Sequence, residues 1–79
     1  MYIIIEPRES FDRAIVKWKN KKPVYSYYRL IDVCKELYFK DDNPIDAHEM
    51  AIEWVEYNIL PISHGDLTLN VSYDRKFIP

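Results

Sequence analysis

Two apolar patterns of helical spacing lie close together in the middle of this chain, and they limit its fold more than any other feature. Tyr27, Leu30, Ile31, Cys34, Leu37 and Tyr38 recur at i, i+3, i+4, i+7, i+10 and i+11, which is one face of an α-helix. Ser26 stands at the N-cap of that helix, with Tyr25 and Leu30 placed as a hydrophobic staple. "KDDNP" at 40–44 ends it. The second face consists of Ala47, Met50, Ala51, Trp54 and Val55, with Asn58 next on the same stripe. Asp46 is the expected N-cap, Glu49 completes a capping box, and Ile45 and Met50 occupy the staple positions. Pro61 ends this helix at about Ile59 or Leu60. Two helices joined by so short a connection form a helical hairpin, and their apolar faces require a cover.

The flanking segments supply that cover as strands. "MYIIIE" at 1–6 has strand composition and is stopped by Pro7. "ESFD" reads as a turn or a single helical turn. "AIVKW" (14–18) and "PVYSY" (23–27) form a hairpin around a four-residue "KNKK" loop. "SHGD" (63–66) is a turn at the only glycine, and Leu67, Leu69, Val71 and Tyr73 then alternate with polar residues as a strand with one buried face. Residues 74–79 read as a loose tail. The expected order is β–β–β–α–α–β, a single α+β domain over 1–79. Its small, mostly antiparallel sheet, an N-terminal hairpin plus a C-terminal strand, packs against a two-helix hairpin.

At 79 residues, one core is only just sufficient, and an aromatic content of 15% suggests that a few large side chains build it. Cys34 is the single cysteine, which excludes an intrachain disulfide and fits a reducing compartment. The longest apolar run, Ile3–Ile5, falls far short of the roughly 20 residues that span a bilayer. With no basic leader region either, a cytoplasmic protein without membrane attachment is expected. The net charge of −2 conceals a polarity along the chain. Residues 6–29 carry seven Lys/Arg against three Asp/Glu, and residues 30–66 carry two against nine.

Each end of that polarity has a candidate surface. Asp46, Glu49, Glu53 and Glu56 share a helix face opposite the apolar stripe, with Asp41 and Asp42 at its foot. The row is about 15 Å long at 1.5 Å per residue, and it can act as an electrostatic decoy for a phosphate run or simply as a solvated helix face. An exposed row offers no desolvated carboxyl of raised pKa, so it does not support acid–base catalysis. "KWKNKK", with Lys17, Trp18, Lys19, Lys21 and Lys22, combines cations with an aromatic ring, the ingredients of a single-strand nucleic-acid contact. The same lysines equally keep a hairpin edge unpaired. Asn58 reads as a buried structural amide near the helix end. His48, His64 and Cys34 have no metal-ligand spacing, and Cys34 sits on an apolar face where thiols are inert. No phosphate loop or nucleophile motif is present, so no cofactor and no enzymatic activity are expected.

"SFDRAIV", "PVYSYYRLIDV" and "HEMAIEWVEYNI" together resemble a group of small bacteriophage and prophage proteins. Their pattern runs Phe-Asp-x-Ala-Ile, Tyr-x-Tyr-x-x-Leu-Ile and Glu-x-Ala-x-Glu-(Trp/Tyr)-x-x-(Tyr/Phe)-Asn. It falls here on Phe11, Asp12, Ala14, Ile15, Tyr25, Leu30, Ile31, Glu49, Ala51, Trp54, Tyr57 and Asn58, over about residues 10 to 60. The chain departs from the group at both ends. The resemblance carries no established activity; it implies a phage accessory protein working in the host cytoplasm. The leading expectation is a non-enzymatic modulator or inhibitor of a host protein complex, with anti-CRISPR or anti-restriction action as the first candidates. Asp42, Asp46, Glu49, Glu53, Glu56 and Tyr57 are the expected contact surface. The alternatives are a nucleic-acid-binding regulator using residues 17–22, and a self-associating structural protein such as a homodimer.

Overall fold

Residues 2–79 are described by the computed structural model. A short helix α1 (Arg8–Phe11) runs into a 3₁₀ turn at Asp12–Ala14, and the hairpin β1 (Ile15–Lys19) and β2 (Lys22–Ser26) follows. Helices α2 (Tyr27–Tyr38) and α3 (Pro44–Trp54) form the helical hairpin, and a π turn at Val55–Ile59 extends α3. Three two-residue strands come last: β3 (Ser63–His64), β4 (Leu67–Thr68) and β5 (Val71–Ser72). The sheets are β1-β2-β5 and β3-β4, antiparallel throughout except for the short parallel β2–β5 pair. This is the expected α+β arrangement of a small, mostly antiparallel sheet against two helices. No helix among the described residues is long and apolar enough to cross a membrane.

Helix α2 begins as its sequence dictates, because the Ser26 hydroxyl accepts the Arg29 N–H at 3.3 Å. Its buried face is Leu30, Ile31, Val33 and Cys34, whereas Leu37 and Tyr38, expected on that face, are exposed. Helix α3 starts earlier than expected. Asn43, not Asp46, is its N-cap, accepting the Ile45 N–H at 2.9 Å, and Pro44 occupies the first helical position. Proline there needs no N–H partner, so the Asn43–Pro44 pair outcompetes the capping box three residues on.

The buried seam of α3 also differs from the expected stripe. Ala47, Ala51, Val55 and Ile59 are buried, while Trp54 and Asn58 are exposed. Steps of four residues in an α-helix overshoot a full turn by about 40°, so a long seam at this spacing drifts off one face. The π turn, closed by Leu60 N–H to Val55 O at 2.8 Å, widens the last turn and keeps Val55 and Ile59 on the seam of Ala47 and Ala51. Asn58 is rotated outward by the same device, which corrects the expectation of a buried structural amide.

Three further expectations change. Met1 lies outside the described residues, and residues 2–6 form no strand. Instead Ile5 inserts into the core and its N–H donates to the buried Tyr25 hydroxyl at 3.0 Å. The expected strand over 67–74 breaks in two, because Asn70 gives its carbonyl to the Tyr25 N–H at 2.9 Å and directs Val71–Ser72 to β2 while Leu67–Thr68 stays with β3. The tail carries a 3₁₀ turn at Arg75–Phe77, capped by Asp74 and bonded to Arg29 through the Phe77 carbonyl at 3.4 Å. The core lies between β2, α2 and α3, with Phe11, Tyr25, Leu30, Val33 and Val55 fully buried. Each such side chain contributes about 1.5–3 kcal/mol by leaving water.

Candidate functional site

The β1–β2 hairpin closes one rung further than its sequence suggested. Asn20 and Lys21 take left-handed backbone conformations (φ 52° and 64°), so the loop is a two-residue turn and Lys19 pairs with Lys22. That geometry matches the right-handed twist of the strands, and asparagine is among the residues that tolerate it best. The other pairs are Lys17 with Val24 and Trp18 with Pro23. Residues opposite each other in a ladder share a face, and successive residues alternate faces. Lys17, Lys19, Lys22 and Val24 therefore lie on one face of the hairpin. Trp18 and Pro23 lie on the other.

Across β2 from β1 runs the segment 69–72, held there by the β2–β5 pairing. It forms the second wall of a surface groove of about 620 Å³. Lys17, Lys19, Asn20, Lys22, Val24, Leu69, Asn70, Val71 and Ser72 line this groove, with no carboxylate and no aromatic ring among them. None of the three lysines forms an ion pair among the described residues; the pairs are Arg8–Asp12, Arg13–Glu36 and Lys76–Asp74. Like charges placed directly opposite in a ladder destabilise it, and the Lys19–Lys22 rung has no carboxylate to offset that repulsion. Lys21 projects from the turn and does not line the groove. Trp18, half exposed, meets Tyr2 edge-on with ring centroids 5.5 Å apart.

The acidic residues form a different kind of surface. Asp46, Glu49 and Glu53 are exposed along α3, Glu56 and Tyr57 continue in the π turn, and Asp42 precedes the helix. None of these carboxylates is in an ion pair among the described residues. Among the described residues only Glu56 has a polar side-chain partner, accepting a hydrogen bond from the Tyr27 hydroxyl at 3.3 Å. Burial first, then the nearby Glu56 charge, raises the Tyr27 phenol above its ordinary pKa. Tyr57 is 77% exposed, the most exposed large hydrophobic side chain among the described residues. Asn58 borders a small cleft of about 210 Å³ beside Ile4, Phe11, Tyr38 and Trp54. Trp54 rests on Tyr38, their centroids 4.8 Å apart.

Cys34 is fully buried, and burial pushes its thiol up to about 12, so it stays protonated at neutral pH. His48 and His64 are exposed, and no group of three or more His, Cys, Asp or Glu among the described residues is placed to hold a metal ion. The sequence reading identified the lysines of the groove but missed Asn20 as their turn residue and Asn70 and Ser72 in the opposite wall. Asn20 had a local signal, since asparagine tolerates positive φ. The far wall had none, because it arrives by a pairing across some 45 residues of chain. No family model, curated protein or solved structure matches the chain.

Proposed function

We propose that this chain is a non-enzymatic nucleic-acid-binding protein that holds a phosphate backbone in the groove between the β1–β2 hairpin and β5. One observation carries the reading: Lys17, Lys19 and Lys22 converge in a concavity with no carboxylate in its lining. Phosphate contacts by lysine supply sequence-independent affinity through counterion release. The repulsion within the Lys19–Lys22 rung makes the empty groove pay a cost that a bound polyanion removes. Asn20, Asn70 and Ser72 add neutral hydrogen-bonding groups of the kind that positions a backbone without reading its sequence.

The test is anisotropy of labelled nucleic acid titrated with the wild type and with Lys17→Glu/Lys19→Glu/Lys22→Glu. The reversal is expected to weaken binding by roughly 100-fold or more. Equal affinity of the two proteins contradicts the reading.

A second reading rests on the acidic row. Asp42, Asp46, Glu49, Glu53 and Glu56 are all exposed and outside any ion pair among the described residues, with exposed Tyr57 beside them. This supports a phage accessory protein that occupies a basic patch of a host complex, such as one that grips nucleic acid in defence. Glu49→Lys/Glu53→Lys/Glu56→Lys should then lose a partner captured from bacterial lysate while still melting cooperatively. Undiminished capture rejects it.

A further inference from the structure

The hairpin separates its cations from its aromatic ring, and that separation bears on which form of nucleic acid the groove accepts. Proteins that hold single strands combine a basic track with aromatic side chains on which the bases stack, and this stacking supplies much of their affinity. In this chain the ladder puts Lys17, Lys19 and Lys22 on one face and Trp18 on the other. The Trp18 ring is already met edge-on by Tyr2, at an interplanar angle of 82°. No aromatic side chain among the described residues lines the groove itself. A single strand lying across the lysines would find no surface for its bases. A duplex needs none, because its bases stack on each other and it presents twice the charge per length of axis. The groove is a surface concavity bordered by the β1–β2 hairpin and the segment 69–72, the geometry that meets a convex backbone.

Resting on the nucleic-acid reading above, we infer that the groove takes duplex nucleic acid by its phosphate backbone alone, with Trp18 and Tyr2 outside the contact. Duplex DNA and duplex RNA both present this chemistry, and the 2′-hydroxyl is the group that would separate them.

The experiment uses the full chain with a Trp54→Phe background, leaving Trp18 as the only tryptophan. Short blunt DNA and RNA duplexes and the matching single strands are titrated while binding and Trp18 emission are followed together. The duplexes are expected to bind at least as tightly as the single strands, with Trp18 emission unchanged. Three phosphate contacts predict a salt slope of about −2.7, so duplex affinity falls about 40-fold between about 50 and about 200 mM salt. Trp18→Ala should leave affinity within about twofold, since it removes no phosphate contact. A preference for DNA or RNA duplex names the source without altering the inference. Tighter binding of single strands, with Trp18 emission quenched, overturns it and leaves the nucleic-acid reading intact. Absence of binding to every probe overturns both.

Discussion

The lysines of the hairpin and the carboxylates of α3 are both exposed and both lack an ion-pair partner among the described residues, yet the backbone presents them differently. On α3, Asp46, Glu49 and Glu53 follow from helical spacing on the solvent side, and the first of them is favourably placed near a helix N-terminus. Such a face is what any wet helix needs, and it costs the fold nothing. In the hairpin, Lys19 and Lys22 face each other across a ladder and Lys17 stands two residues away on the same face, above a wall supplied by β5. That placement costs stability and creates a concavity. A charge cluster that the fold must tolerate says more about function than one the fold would adopt anyway.

The largest expected effect removes both regions together. Leu30 is fully buried between the sheet and the helices, and Leu30→Ala should cost about 2–5 kcal/mol. Chemical denaturation measures this, and an undiminished midpoint would place the core elsewhere. Next comes the triple lysine reversal, which should weaken nucleic-acid binding by roughly 100-fold while the melting temperature stays about level, because the Lys19–Lys22 rung becomes a Glu–Glu rung with like charges still opposed. Below it lies the cap of α3. Asn43→Ala should cost about 1 kcal/mol, whereas Asp46→Ala, losing only a charge near the helix start, should cost about 0.3–1 kcal/mol. A larger loss at Asp46 than at Asn43 would restore the capping box and shift the acidic face by a turn.

Smaller still, and sharper for the comparison, is Lys22→Glu. It converts the repulsive rung into an attractive one and should stabilise the hairpin by about 0.2–1 kcal/mol while weakening nucleic-acid binding. Gain of stability with loss of affinity marks a residue retained for its ligand. A control outside both surfaces comes from Cys34. Its folded thiol titrates near 12, above the unfolded value of 9.0, so the protonated form belongs to the native state. Its contribution is therefore complete below pH 9 and is lost as pH rises toward 12. The stability difference between wild type and Cys34→Ala should shrink across that window. A difference independent of pH there would mean that the thiol is not buried.

The sequence was informative wherever the decisive interaction was local. The Ser26 cap, the extent of α2, the hairpin and the approximate end of the second helix each depend on residues within a few positions of one another. Its failures share a cause as well. The seam of α3 follows Ala47, Ala51, Val55 and Ile59 only because the helix widens at Val55, and periodicity alone assumes that it does not. Residues 67–74 alternate cleanly, yet Asn70 divides them between two sheets through a bond to Tyr25 far back in the chain. For the same reason the basic cluster was legible but its groove was not. Likewise, the split of "KWKNKK" into a lysine face and a tryptophan face became visible only once the turn was known to hold two residues.

The most direct test maps the working surface residue by residue. Backbone amide and Trp indole resonances of the labelled chain are followed by NMR as a short duplex is added. The account predicts that the largest shifts fall on Lys17, Lys19, Lys22 and Asn70, with the Trp18 indole and residues 46–57 unmoved. Shifts concentrated on 46–57, or on the Trp18 indole, would contradict it.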